Sequence, residues 1–292
     1  MNLSNYLFSS DFFSSSDNKS PTQVRAYIFT KGNEWFKSFP EQTMLITRNL
    51  RTLGISYDNS LIKNIQTHIL LHYYEKILPL IMSAEEYYKF IKENVKILEG
   101  FEDLKDCLSQ KKGIILALCH FGAVELIGPT LCALGIPLTV ALRFSNQKMA
   151  EIAKIRFNEL SQSGLFAPMK IIEIGKTSSP VALEMAASLR RHENLLTVFD
   201  EKTNYSIPVN FFKNKIYGGA GINKLINLSQ TDPFVFACFC LRKDDDTYEI
   251  IFKRISSKNE SMIQEIYNIF EGYIIKNCNQ WYFLHEEIPF VK

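Results

Sequence analysis

The chain has 292 residues, of which 46% are hydrophobic and 22% charged, a composition typical of globular proteins and unlike that of disordered ones. A chain of this length can bury a substantial core, as one large domain or as a catalytic domain with a helical extension. The net charge is only +2, from 33 Lys and Arg against 31 Asp and Glu. It excludes the strong basic field of a typical nucleic-acid-binding protein, so we expect no nucleic-acid partner.

The six cysteines and the apolar runs indicate the compartment. The cysteines show no CxxC pair and no spacing of a zinc site, so we expect free thiols in a reducing environment. The first residues lack the basic and apolar regions of a signal peptide, and no apolar run reaches the roughly 18 residues of a transmembrane helix. We therefore expect a cytoplasmic protein whose contact with the inner membrane, if any, is peripheral.

Three segments follow one another along the chain. Residues 1–22, rich in Ser, Asn, Asp and Phe, are typical of an N-terminal arm. Residues 23–110 show apolar positions near the 3.6-residue period and a helix start at Ser83, which predicts a helical region. Residues 111–292 alternate short apolar runs with helical patterns, which predicts an α/β catalytic core that forms one continuous domain with the helices.

Six segments of the core have the length and composition of strands. They are residues 114–118, 138–142, 170–174, 195–199, 234–241 and 248–253, the last alternating as an edge strand does. Helices are predicted between them over residues 125–135, 147–163 and from about 179 to 191. Continuous apolar strands imply a sheet covered on both faces. The predicted fold is α/β, with a central, mostly parallel or mixed sheet flanked by helices and preceded by the helical region.

Polar side chains follow three of these strands. His120 lies two residues beyond the first strand, Arg143 directly follows the second, and Asp200 and Glu201 directly follow the fourth. Because active sites in such folds lie beyond the carboxyl ends of the strands, we expect these side chains to gather at one edge of the sheet.

His120 and Glu125 are the first candidates for chemistry. A carboxylate close to a histidine fixes its tautomer and raises its basicity, as a general base requires. A His-x4-Glu spacing also arises by chance, so a satisfied polar pair is the alternative. His68, His72 and Glu75 share a helix face with a spacing that can hold zinc, but without HExxH a core or surface role is favoured.

Several ordered blocks resemble the bacterial lipid A biosynthesis (late) acyltransferases over roughly residues 30–290. They are CHFGAVE at 119–125, LRFSN at 142–146, FDE at 199–201, PVNFF at 208–212 leading to GGAG at 218–221, and QWYFLH at 280–285. Agreement of several blocks in order is far more specific than any one block.

The resemblance implies an acyltransferase that needs neither metal nor cofactor. By it, His120 deprotonates a hydroxyl or amine of the acceptor, which attacks the acyl thioester of an acyl carrier protein or coenzyme A. Glu125 or Glu201 orients His120. Arg143 and Asp200 contribute to substrate binding, and a backbone amide of the Gly122 turn stabilises the oxyanion. The acyl chain would occupy an apolar tunnel lined by Phe and Leu.

The blocks also depart from the family's usual residues. Ala123 and Val124 replace Asn-Trp, Phe144 replaces the proline after Arg143, and acidic residues follow His285 in place of basic ones. These changes leave the acceptor open between a glycolipid and a carrier-tethered or specialised metabolite. Two alternatives stay open as well: a thioesterase that uses water as acceptor, and a non-catalytic protein that binds lipid or acyl carrier.

Overall fold

The computed structural model describes residues 2–8, 12, 19–144, 147–174, 181–202, 205–256 and 260–291. Among these, the α-helices are α1 (Leu3–Leu7), α2 (Pro21–Ser38), α3 (Pro40–Thr52), α4 (Asn59–Ile81), α5 (Ala84–Asn94), α6 (Phe101–Ser109), α7 (Ile127–Ala133), α8 (Gln147–Gln162), α9 (Val181–Arg190), α10 (Gly221–Ser229) and α11 (Glu260–Asn277). The strands are β1 (Val95–Glu99), β2 (Ile114–Gly122), β3 (Leu138–Leu142), β4 (Met169–Glu173), β5 (Asn194–Val198), β6 (Ile207–Phe211), β7 (Asn214–Gly218), β8 (Phe234–Arg242) and β9 (Tyr248–Arg254).

Seven of these strands form one sheet in the order β1-β9-β8-β2-β5-β3-β4. Only β8 and β9 are antiparallel neighbours, and the other neighbouring pairs are parallel. The mostly parallel α/β sheet with helices at the N-terminus confirms the predicted fold class. Strands β6 and β7 form a separate antiparallel hairpin.

Strand β2 shows why its sequence is a continuous apolar run. Ile115 and Ala117 pack into the hydrophobic core on one face of the sheet, and Ile114 and Leu116 pack into the core on the other. Successive side chains of a strand point to opposite faces, so the stretch of β2 that is covered on both sides, residues 114–119, is apolar throughout, and His120 follows it.

Strand β1 lies within residues 23–110, which the sequence predicts as helical. Only Val95 of this strand is buried, and Leu98 is largely exposed, so no strand-like alternation marks it. Val95 pairs with Tyr248 of β9 in parallel. The prediction of β9 as an edge strand is therefore wrong, because β1 covers that edge.

The helix starts follow their capping residues. Ser20 and Gln23 form a capping box before α2, and Ser83 and Glu86 form another before α5, as the sequence predicts for Ser83. The described part of residues 1–22 packs inward, since Leu3 and Leu7 of α1 are buried in the core. The helical pattern predicted to open near residue 179 is observed from residue 181, and residues 175–180 lie outside the described ranges.

Helix α4 belongs to the helical region and packs against the sheet at the carboxyl end of β8. Asp58 caps it, and its residue Glu75 forms a buried ion pair with Arg242 at the end of β8, with Oε1–Nε and Oε2–Nη2 distances of 2.6 Å each. Two parallel hydrogen bonds fix the orientation of both side chains, so α4 is held firmly against the sheet. No helix in the described part of the chain is both long and apolar enough to cross a membrane.

Candidate active site

His120 lies at the carboxyl end of β2, where the strand leaves its regular pairing. The register between β2 and β8 shifts between Leu118 and Gly122, and His120 falls inside that irregular stretch. Such a shift re-aims side chains at a strand end. The His120 side chain is 19% exposed, buried enough to be positioned and open enough to meet a substrate.

Asp200 orients the His120 ring. Its Oδ1 lies 2.9 Å from Nδ1 of His120, and its Oδ2 accepts a hydrogen bond from the backbone N–H of His120 at 2.6 Å. An ionised carboxylate accepts hydrogen bonds and does not donate them, so the imidazole proton resides on Nδ1 and the lone pair on Nε2. The Asp200 side chain is only 3% exposed, so it contacts His120 and is shielded from solvent.

This hydrogen bond corrects the partner that the sequence indicated. Glu125 and Glu201 were the expected orienting residues, and Asp200 was expected to bind substrate. Glu201 Oε1 instead lies 3.8 Å from Nε2 of His120, beyond hydrogen-bond distance, with its side chain 45% exposed. Asp200 and Glu201 are adjacent after β5, and it is the buried one of the two that reaches Nδ1.

Glu125 contacts helix α4 and makes no hydrogen bond to His120. Residues Val124–Leu126 form a 3₁₀ turn, so the chain bends directly after the strand. Glu125 Oε1 lies 3.6 Å from Nε2 of His72 and 3.8 Å from Nζ of Lys76. Its charge also raises the pKa of His120, with a smaller effect than those of Asp200 and Glu201.

Opposing effects set the pKa of His120. Burial lowers it, but the charge and hydrogen bond of Asp200, followed by the charges of Glu201 and Glu125, outweigh burial and raise the pKa above its ordinary value. A histidine with a raised pKa is a stronger base, which suits removal of a proton from a hydroxyl or an ammonium group.

Gly122 occupies a position that excludes any side chain. Its φ is +61°, and a Cβ there would lie 1.9 Å from the carbonyl oxygen of Cys240. The next amide, Ala123 N–H, already donates to that carbonyl at 2.7 Å. The Ala123 N–H is therefore committed to the sheet and is not available for an oxyanion.

Arg143 follows β3, which pairs with β5, so its Cα lies at the same edge of the sheet as Asp200. Its side chain is exposed and makes no ion pair or hydrogen bond with the part of the chain that the structure describes. It is therefore available to an anionic group of a substrate. Residues 145 and 146, the rest of its block, lie outside the described ranges.

Aromatic rings from residues 280–285 form one wall of the site. Phe283 stacks obliquely on His120 with 4.7 Å between ring centroids, and Tyr282 lies 6.0 Å from it. The segment is held in place because the side-chain amide of Gln280 pairs with both the N–H and the C=O of Arg242, at 2.9 and 3.0 Å. His285 is buried, with its Nδ1 2.5 Å from the carbonyl of Tyr282.

A model of the family described as bacterial lipid A biosynthesis acyltransferase matches residues 18–288. The chain belongs to this family. A search of curated proteins found no significant match. Membership rests on nearly the whole chain, and it supports transfer of an acyl group to a lipid acceptor.

The structure brings together most of the residues predicted for a lipid A biosynthesis acyltransferase. His120, Asp200 and Glu201 meet at one edge of the sheet, with Glu125 beyond them, and Gly122 forms the turn between. Among the described residues, no group of three or more His, Cys, Asp or Glu side chains is placed to hold a metal ion.

The acyl tunnel expected in this acyltransferase stays a prediction. A cavity of about 970 Å³ is lined by Phe234 at the start of β8, by Arg254 at the end of β9 and by Ala220 shortly after β7. Phe234 pairs in register with Ile114, six residues before His120 along a strand. At about 3.3 Å per residue, the wall of this cavity at Phe234 is on the order of 20 Å from the imidazole.

Sequence reasoning missed His72 and Lys76 as members of the site. The sequence places His68, His72 and Glu75 on one face of a helix, and in the structure this face turns inward. Glu75 binds Arg242, and the His72 ring lies 6.3 Å from that of His120. In the sequence, these residues form a polar stripe on an otherwise apolar helix, which indicates that this face has a special role. The sequence does not indicate that this helix crosses the end of β2.

Proposed function

We propose that this protein transfers an acyl chain from the thioester of an acyl carrier protein or coenzyme A to a hydroxyl or amine of its acceptor. The observation that carries the proposal is the hydrogen bond between His120 Nδ1 and the buried Asp200, which leaves the lone pair on Nε2 of a side chain that is 19% exposed. Family membership supports acyl transfer in general. The identity of the base, the donor and the acceptor is our inference.

The reaction proceeds in two proton transfers at one nitrogen. Nε2 of His120 removes the proton of the acceptor hydroxyl or amine, and the acceptor atom attacks the thioester carbonyl carbon. The Gly122 amide stabilises the resulting oxyanion. As the intermediate collapses, the C–S bond breaks and the thiolate takes the proton from Nε2, so the imidazole returns to its starting state.

Asp200 and Glu201 stabilise the imidazolium that forms between these transfers. Asp200 holds the ring in the reactive tautomer, and Glu201, 3.8 Å from Nε2, adds a second negative charge at the side where the proton arrives. The exposed guanidinium of Arg143 binds an anionic group, for which the phosphates of the pantetheine arm or coenzyme A are the natural partners. We place the reaction in the cytoplasm, with peripheral contact at the inner membrane where the acceptor is a glycolipid.

The test uses lauroyl-coenzyme A and a lauroyl-acyl carrier protein as donors, with release of the free thiol as the readout. Octyl glucoside and decylamine serve as hydroxyl and amine acceptors, and a buffer-only arm measures hydrolysis. We expect thiol release and acyl product that depend on an acceptor. Release without acceptor would indicate a thioesterase, and no release with any donor would indicate a binding protein.

His120→Ala should abolish transfer, because no other described group combines an oriented lone pair with access to the site. His192→Asn is the matched control, since His192 is exposed at φ +61°, a conformation that asparagine tolerates. Transfer that survives in His120→Ala at the level of the control would contradict the mechanism.

A further inference from the structure

His72 is a second histidine built into the wall of the site. It lies on α4, its side chain is 5% exposed, and its ring is 4.5 Å from that of Tyr282 and 6.3 Å from that of His120. Its Nε2 faces Glu125 Oε1 at 3.6 Å. Its Nδ1 is fully buried and has no hydrogen-bond partner among the residues that the structure describes.

These surroundings fix the tautomer of His72. Burial first, and then the positive charge of Lys76, lower the pKa of His72 well below its ordinary value, so the ring is neutral and carries one proton. A proton on Nδ1 would be buried without an acceptor, whereas a proton on Nε2 faces a carboxylate. His72 is therefore an Nε2–H donor directed at Glu125.

This arrangement is unfavourable for stability, which argues against a packing role. A buried nitrogen without a partner has lost its hydrogen bonds to water and gained none in return. A leucine at this position would fill a similar volume without that loss. A residue whose buried polar atom lowers the stability of the fold in this way is typical of a functional site.

Lys76 approaches the same carboxylate oxygen from one helical turn further along α4. Its Nζ lies 3.8 Å from Glu125 Oε1, and its side chain is 37% exposed. The Glu125 side chain is 29% exposed, and its carboxylate makes these two ion contacts but no hydrogen bond with any residue that the structure describes. The neighbouring Glu75–Arg242 pair holds this stretch of α4 in place, so the two donors are supported rigidly.

We propose that His72 and Lys76 are positioning residues that hold the Glu125 carboxylate so that it accepts a hydrogen bond from the acceptor substrate. Glu125 then binds the attacking group, while Asp200 and not Glu125 orients His120. This inference rests on the proposed acyl transfer. It assigns part of the acceptor site to the helical region of the chain, outside the blocks that carry the family resemblance.

The first test compares kinetics of His72→Leu, His72→Gln and Glu125→Gln with lauroyl-coenzyme A and whichever probe acceptor is active. Removing the polar contact that positions a charged, substrate-binding carboxylate should lower kcat/KM for the acceptor by about ten- to a hundredfold in His72→Leu, with KM for the donor unchanged. Gln places an N–H near the position of Nε2, so His72→Gln should recover most of the loss.

The double variant separates positioning from direct action. If His72 acts through Glu125, then His72→Leu combined with Glu125→Gln should be no slower than Glu125→Gln alone. Lys76→Met should lower acceptor kcat/KM in the same direction, whereas Lys63→Met, an exposed lysine on the same helix, should not. Additive losses in the double variant, or no rescue by His72→Gln, would overturn the proposal.

Two further readouts distinguish this proposal from structural damage and from failure of the proposed function. The melting temperature of His72→Leu should equal or exceed that of the parent, and a loss of activity that follows a lowered melting temperature would indicate mere packing. Ring ¹⁵N NMR should show His72 as the neutral Nε2–H tautomer, with its signal shifted in Glu125→Gln. If the parent transfers no acyl group, the proposed function is wrong. The NMR result does not depend on activity, so an Nδ1–H tautomer of His72, or a signal that does not shift in Glu125→Gln, would by itself refute the positioning of Glu125.

Discussion

Replacing Asp200 by asparagine should disable the base while leaving the fold intact. Asp200 accepts two hydrogen bonds from His120, one from the backbone N–H at 2.6 Å and one from Nδ1–H at 2.9 Å, and each uses a different oxygen. Asparagine has only one acceptor oxygen. The backbone N–H can only donate and takes that oxygen, so the new NH₂ group faces Nδ1 and drives the ring proton to Nε2.

The wrong tautomer cannot accept a proton from the acceptor. A comparable change in a serine protease triad lowers turnover by about 10⁴-fold, so we expect a loss of roughly a thousand- to ten-thousandfold, or about 4 to 5 kcal/mol in activation free energy. The assay is acceptor-dependent thiol release from lauroyl-coenzyme A, with ring ¹⁵N NMR to identify the tautomer.

Glu201→Gln is the matched control for Asp200→Asn, because it removes a neighbouring carboxylate that makes no hydrogen bond to the ring. Its loss should be far smaller, since Glu201 is half exposed and 3.8 Å from Nε2. Turnover of Asp200→Asn within tenfold of the parent, or a larger loss in Glu201→Gln, would refute the assignment of Asp200 as the orienting residue.

Three further outcomes follow from the geometry. The pKa of His120 is raised, and only its neutral form accepts a proton, so activity should increase with pH through a midpoint above about 6.5. Glu201→Gln should lower that midpoint, because it removes one of the charges that raise the pKa. A midpoint below about 6.5 in the parent would contradict this assignment of charges. Arg242→Met leaves Glu75 buried without its partner and should lower the free energy of unfolding by about 3 to 5 kcal/mol in a urea titration, whereas an unchanged midpoint would mean that the pair is dispensable. Gly122→Ala should reduce both stability and transfer, because a Cβ there would lie 1.9 Å from a carbonyl oxygen of β8, and a variant with parental melting temperature and activity would show that the turn can relax.

The sheet was predictable where the physical signal is local. The continuous apolar run of β2 follows from burial on both faces, and the strands at 138–142 and 234–241 follow from the same cause. Strand β1 escaped prediction because it is short and mostly exposed at the sheet edge, so its sequence carries no burial pattern.

The sequence predicts which residues gather at the carboxyl ends of the strands, but not which side chains contact one another there. A parallel sheet gathers His120, Asp200 and Glu201 whatever their side-chain directions, so their convergence follows from topology. Which carboxylate reaches Nδ1 of His120 depends on how the chain bends after each strand. The 3₁₀ turn after β2 places Glu125 next to His72 and Lys76, whereas the buried Asp200 after β5 contacts Nδ1. The contribution of His72 depends on how α4 crosses the sheet, a tertiary feature that no local pattern encodes.

The pairing of Gln280 with Arg242 has a consequence for the order of folding. Residues 280–286 contact both β2, through Phe121 and Trp281, and α3, where the Asn49 amide donates to the carbonyls of Leu284 and Glu286. During synthesis the sheet can assemble while this segment is still inside the ribosome, but the wall around His120 cannot. Docking of this segment is therefore expected to be a late step that completes the wall around His120.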